Sequence, residues 1–217
     1  MTITLTAHRL RFDAVAIDPI LLNEHKGSSL RGALYHALRG GAGPSAWAGF
    51  CYNKAAQSCE VCNLAAGCPV CTLVATLNER SGRGADVPRP YTIEPPLEER
   101  TEYQPGDRLN FGLTLFANAL AFFPYVIMAV EGGMAPAGIG RRDERYGHRR
   151  GRFRVEAAWA ENPISGQGQV VLRAGEQMVN VPDIPITHEQ IVAASRDMAG
   201  RAPTAAGAGR ITLHFLT

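Results

Sequence analysis

An α+β fold is predicted for this chain of 217 residues by three observations. Strand-like alternation fills its first dozen residues, an amphipathic helix follows directly, and strand, strand, helix and strand patterns then come in that order. The order β, α, β, β, α, β is a ferredoxin-like arrangement, RRM-like in its strand and helix succession. Hydrophobic residues make up 46% of the chain, ample for one core of this size.

Ile3, Leu5 and Ala7 alternate with Thr4, Thr6 and His8, and the phase then changes to Leu10 and Phe12, which predicts a long strand with a bulge. A loop at Asp18-Pro19 leads to a helix capped by Ser28 or Ser29 and ended by Gly40-Gly41. Leu30, Ala33, Leu34, Ala37 and Leu38 share its apolar face, and Tyr35, His36 and Arg39 point the other way. Residues 41–89 are rich in Gly, Pro, Ala and Cys and read as an insertion within a domain covering 1–160. Strands follow at Tyr91 to Glu94 and at Leu109 to Phe116, where Leu109, Phe111, Leu113 and Leu115 alternate.

An apolar helix is expected from Asn118 to Glu131, with Pro124 at a kink or in its first turn and Gly132-Gly133 at its end. After a glycine- and arginine-rich loop comes a strand in which Phe153, Val155, Ala157 and Trp159 share one face. The C-terminal extension, 161–217, holds a strand at Gln169 to Arg173, a helix opened by a capping box from Thr187 to Gln190, and a strand at Ile211 to Phe215. A last residue, Thr217, directly after that strand implies a sheet edge or a domain boundary. No stretch approaches eighteen consecutive apolar residues and the N-terminus lacks a signal-peptide block, so a cytoplasmic protein without a membrane partner is expected.

The segment GGMAPAGIGRRDERYGHRRGRFR, from Gly132 to Arg154, carries seven arginines against Asp143 and Glu144, about five net positive charges on a chain whose total is +2. Glycines such as Gly138 and Gly140 let backbone N–H groups approach an anion, while Arg141, Arg142, Arg145, Arg149, Arg150 and Arg152 offer bidentate guanidinium donors, with His148 among them. A nucleic acid is the partner this charge pattern predicts.

Four of the five cysteines are spaced Cys59-x2-Cys62-x5-Cys68-x2-Cys71, with Cys51 upstream. Two such pairs can converge on one tetrahedral Zn²⁺ and staple an insertion too polar to fold alone; an iron–sulfur cluster would use the same thiolates, and Cys51 can replace one of the four. Four thiolates leave no open position for a catalytic water, so the metal's role is architectural. His25 beside Lys26, His36 beside Tyr35, and His148 are candidates for proton transfer near neutral pH, each with the alternative of a solvated surface residue. His8, His188 and His214 lie on regular elements and read as structural.

Taken together, GSSLRGALYHAL, CEVCNLAAGCPVC, RPYTIEPP, YQPGDRLNFGLTLFANA and GIGRRDERYGHRRGRFRV resemble, in that order from Gly27 to Val155, one family. It is the CRISPR-associated repeat-processing endoribonucleases of the RAMP superfamily, in the branch with a cysteine-rich insertion. The resemblance implies ferredoxin-like folds, binding of CRISPR repeat RNA, and metal-independent cleavage leaving a 2′,3′-cyclic phosphate. It places the family's basic glycine-rich loop on Gly138, Gly140, Arg141, Arg142 and the arginines after them, and the catalytic histidine on His36 or His25, with Tyr35 and Lys26 as helpers. Members usually carry two such domains and continue with a proline after a strand similar to ITLHFLT, so the chain looks like an N-terminal portion or a shortened member. Two other readings fit the residues: a non-catalytic RAMP subunit that binds guide RNA among other CRISPR effector subunits, and a zinc-stapled interaction module.

Overall fold

The structure, a computed structural model, describes residues 5–40, 47–56, 58–75, 88–176 and 178–201. Ile3, Gly41 and the expected strand from Ile211 to Phe215 lie outside the described residues. One antiparallel sheet organises the rest, from β1 (Thr6–Ala16), β3 (Tyr91–Glu94), β5 (Arg108–Phe116), β8 (Phe153–Asn162) and β9 (Gln167–Arg173) in the order β3-β5-β1-β8-β9. The order β3-β5-β1-β8 is compatible with a ferredoxin-like arrangement, in which the first strand lies between the third and fourth. The described part of the C-terminal extension joins this same sheet: β9 pairs with β8, and β10 (Ile186–Thr187) pairs with the start of β1. The helix His188–Arg201 then opens on the expected capping box, with the Thr187 N–H donating to Gln190 Oε1 and the Gln190 N–H to Thr187 Oγ1.

Two helices cover one face of the sheet. The first, α1 (Lys26–Arg39), buries Leu30, Ala33, Leu34, Ala37 and Leu38, the stripe its sequence spacing assigns. It begins before either serine, at His25, which caps it without a side-chain bond, so Ser28 and Ser29 sit inside the first turn. The second, α2 (Ala117–Ala137), is a continuous helical stretch that changes pitch from 3₁₀ to α to π and back to α. Pro124 lies in the first turn of its α-helical part, where a missing N–H costs nothing. The stretch is long and apolar enough to cross a membrane by composition, but Phe123, Val126, Ile127, Val130 and Met134 are buried in the core, which accounts for that composition.

Contrary to the expected stop, α2 passes through Gly132-Gly133 and ends at Gly138. A Cβ on either glycine would come within 2.8 Å of the Trp47 ring system, so this pair admits an indole rather than ending a helix. Trp47 also donates its indole N–H to the Ala37 carbonyl of α1 at 2.7 Å, tying the insertion to both helices.

Inside the sheet, Phe12 stacks on Phe111 at 5.0 Å and Phe111 meets Phe153 edge-on at 6.0 Å. The inward phase of β1 is His8, Leu10, Phe12, Ala14, without the early bulge that the sequence suggested. The irregularity comes later and on β8: Ala14 faces Val155 but Asp13 faces Ala157, leaving Glu156 as the extra residue. It flips the phase of β8, so Phe153 and Val155 point inward and are followed by Ala158 and Ala160, while Trp159 turns to the opposite face. There its indole donates to Asp13 at 2.9 Å under the Arg11 guanidinium.

His8 is buried, its Nδ1 without a hydrogen-bond partner among the described residues, and burial lowers its pKa from the ordinary value. Below about pH 6.5 the unfolded chain therefore takes up a proton that the folded chain resists, so stability falls with falling pH through that range. Urea unfolding at pH 7.5 and 5.5 should show this loss, and His8→Leu should remove it; an unchanged pH dependence in the variant would contradict the assignment.

Candidate nucleic-acid interface

The predicted arginine loop is a hairpin. Strands β6 (Ile139–Asp143) and β7 (Arg149–Gly151) pair antiparallel around a tight tip at 144–148. The hairpin lies against β2 (Ile20–Leu21), itself paired with β4 (Glu102–Tyr103). Its glycines permit this packing: Gly140 has φ +82° and a Cβ there would meet the Leu21 carbonyl at 2.2 Å, while one on Gly138, at φ +77°, would meet the Arg150 carbonyl at 2.7 Å. Close approach of backbone to backbone, rather than of backbone to anion, is the evident demand on these two positions.

The arginines divide into paired and unpaired groups. Arg145 grips Asp143 through its guanidinium at 2.7 Å and also donates its backbone N–H to that carboxylate, which clamps the hairpin tip and holds the Asp143 carboxyl below the usual range. Arg152 pairs with Asp18 at 2.6 Å and lowers that carboxyl likewise, joining the hairpin's end to the loop after β1. Arg154 pairs with Glu156. Arg141, Arg142, Arg149 and Arg150 are exposed, and no acidic side chain among the described residues forms a salt bridge with them.

Three of those four converge. Arg142, Arg149 and Arg150 line a cleft of about 630 Å³ together with Arg152, His148 and, across from the hairpin, His36 of α1. Among the described residues no acidic side chain lines it. His148 is held at the hairpin tip with φ +57° by its N–H bond to the Asp143 carbonyl at 2.9 Å. His36, Pro136, Ala137 and Arg150 also border an adjoining recess of about 590 Å³ walled by Trp47, Gly132, Gly133 and Met134. Guanidiniums beside an apolar recess form the pairing that phosphate and nucleobase recognition requires.

The remaining candidates are placed elsewhere. His25 is exposed at the opposite end of α1, eleven residues from His36 or about 16 Å along the axis. Lys26 is buried, and its ammonium donates to the backbone carbonyls of Pro96 and Glu98, a structural anchor for the segment after β3. Tyr35 meets the His36 ring edge-on at 5.5 Å, but its hydroxyl accepts from Arg39 at 2.7 Å and the two line the cysteine side of α1 instead. Arg141 is exposed and does not line the cleft.

Cys51, Cys59, Cys62 and Cys71 line one small cavity with Tyr35 and Arg39. Burial pushes the Cys71 thiol up, with the thiols of Cys59 and Cys68 against it. Burial acts on Cys68 in the same direction, but N–H groups of Tyr52, Cys71 and Val70 aimed at its sulfur outweigh this and lower its pKa. Such donors suit a thiolate. Among the described residues, however, no set of three or more His, Cys, Asp or Glu side chains is arranged to hold an ion.

On the open face of the sheet the arginines are already ion-paired. Arg9 is paired with Glu94 and Glu161, and Arg11 with Asp13 and Glu161, so two arginines meet three carboxylates. Trp47 is the residue of the interface that pattern reading missed. The signal available was the glycine pair inside an apolar helical run, which marks a close approach as readily as a stop.

No curated protein matches the chain. Among solved structures, it is similar to a chain of the Csm3-Csm4 subcomplex in the type III-A CRISPR-Cas interference complex, with 10% identity and a TM-score of 0.48 over 79% of this chain and 92% of that one. A likeness that distant carries no weight for function. A family model described as AF_1859_N, N-terminal domain, matches residues 5–184. The chain therefore belongs to the AF_1859_N N-terminal domain family.

Proposed function

We propose that this chain is a CRISPR-associated, RAMP-type protein that binds repeat RNA in the arginine cleft and cleaves it there. One observation carries the binding part: Arg142, Arg149 and Arg150, with the Asp18-paired Arg152, line a cleft bordered by two histidines and, among the described residues, by no acid. The ordered motifs from Gly27 to Val155 support the CRISPR reading, by resemblance. For cleavage, His36 would take the 2′-hydroxyl proton, His148 would protonate the leaving 5′-oxygen, and the guanidiniums would offset charge on the phosphorane-like transition state. His25, Lys26 and Tyr35 do not line this cleft, and we assign them no part in this scheme.

The test is incubation with labelled CRISPR repeat RNA in EDTA. His36→Ala should slow cleavage by about 10²-fold or more while retaining RNA affinity. Cleavage by that variant at the unmodified rate would overturn the catalytic part. A non-catalytic, guide-RNA-binding subunit is the second reading, favoured by the commitment of Lys26 to backbone carbonyls. It predicts binding without cleavage by every form of the chain.

We also propose that Cys59, Cys62, Cys68 and Cys71, or a set in which Cys51 replaces one of them, hold a structural zinc ion that staples the insertion. Elemental analysis should find one zinc per chain, and chelation should lower Tm; a metal-free chain with an unaltered Tm would contradict this.

A further inference from the structure

The exposed side of α1 carries basic groups beyond the arginine cleft. Nearer the start of the helix, Arg31 lines with Ser28, Arg89 and Tyr91 a depression of about 670 Å³, which continues into a smaller one reaching Gly32 and Tyr35. Among the described residues no acidic side chain lines either part, and the Arg89 guanidinium has one bond, a long one from Nε to the Val74 carbonyl at 3.4 Å. Tyr91 is 6% exposed, and its hydroxyl is buried without a hydrogen-bond partner among the described residues. Burial raises the pKa of that hydroxyl while the charges of Arg89 and Arg31 act against it, which places both guanidiniums in its neighbourhood.

The two basic regions lie along the same helix. Arg31 and His36 are five residues apart on α1, about 7.5 Å along its axis. Gly32 lies between them, exposed and with nothing within 4 Å of a Cβ built there. Guanidiniums at two places along one exposed helix, with Tyr35 between them, suit a single strand whose phosphates are gripped at intervals.

We infer that Arg31 and Arg89 form a second phosphate subsite, so that single-stranded RNA held in the arginine cleft continues over Gly32 toward them. This rests on the RNA reading of the cleft.

The experiment is a salt titration of binding with two oligouridylates, about twelve and about three nucleotides long, chosen to span both subsites or only one. Each phosphate contact on a single strand contributes about 0.7 to the slope of log affinity against log salt, so Arg31→Ala with Arg89→Ala should lower the slope by about 1.4 on the longer probe and leave the shorter one unaffected. Arg31→Ala alone, which removes no hydrogen bond among the described residues, should lower it by about 0.7. An unchanged slope in these variants, beside a lowered slope in Arg142→Ala/Arg149→Ala, overturns the second subsite and leaves the cleft standing. An equal loss on both probes overturns it as well, because it would place Arg31 and Arg89 in the cleft's own site. Failure of the unmodified chain to bind either probe overturns the cleft reading and this inference together.

Discussion

Replacing Arg142, Arg149 and Arg150 together by alanine is expected to lower the slope of log affinity against log salt for single-stranded RNA by about two units, at about 0.7 per lost phosphate contact. These three guanidiniums line the cleft without a carboxylate partner among the described residues, so each is free to displace counterions from a phosphate. The same arithmetic predicts which arginine does not matter. Arg154 is already neutralised by Glu156, and Arg154→Ala should leave the slope nearly unaltered. A triple variant and an Arg154 variant with equal slopes would mean that charge acts diffusely and that the cleft is not the binding site.

The second large effect is expected from Gly140→Ala. A left-handed conformation costs a non-glycine residue about 1–2 kcal/mol, and overpacking adds about 1–3 kcal/mol, because the new Cβ would meet the Leu21 carbonyl at 2.2 Å. At roughly 2–4 °C per kcal/mol for a chain of this size, Tm should fall by about 10 °C. Gly147 separates strain from collision: it is also left-handed, at φ +69°, but a Cβ there meets nothing within 4 Å. Gly147→Ala should therefore cost only the strain, about 1–2 kcal/mol. Equal losses in the two variants would show that the hairpin does not depend on its close seat against β2. Because the hairpin presents Arg142, Arg149 and Arg150, Gly140→Ala should weaken RNA binding too, whereas Gly147→Ala should leave most of it.

Local patterns in the sequence were readable where one physical demand acted alone. The strand at Tyr91–Glu94, the alternation Leu109, Phe111, Leu113, Leu115 and the apolar stripe of α1 each answer only to burial. Patterns misled where a residue served two demands. Gly132-Gly133 has the composition of a helix stop but makes room for the Trp47 ring, and that neighbour comes from a distant part of the chain. In sequence Trp159 continues the phase of Phe153 and Val155, and the extra residue at Glu156 turns it outward. Arginines and glycines in alternation hide the hairpin β6–β7, because its inner face packs by backbone contact instead of apolar side chains.

The site followed the same rule. The density of arginines marked the basic segment, but which of them are spent on Asp18, Asp143 and Glu156 depends on tertiary pairing. Likewise, helical spacing put Tyr35 and His36 on one exposed side, yet neighbouring positions 100° apart face different partners. His36 borders the arginines, and Tyr35 faces Arg39 and the cysteines. Lys26 carries no local sign that two backbone carbonyls await it seventy residues on.

Photo-crosslinking of the full chain to repeat RNA bearing 4-thiouridine, with the joined peptides identified by mass spectrometry, tests the central claim most directly. Crosslinks concentrated on the peptides around His36, Trp47 and 136–152, with any others at the second subsite around Arg31 and Arg89, are the predicted result. Crosslinks concentrated on the open sheet face at Arg9, Arg11 and Trp159, with none in the hairpin, would contradict it.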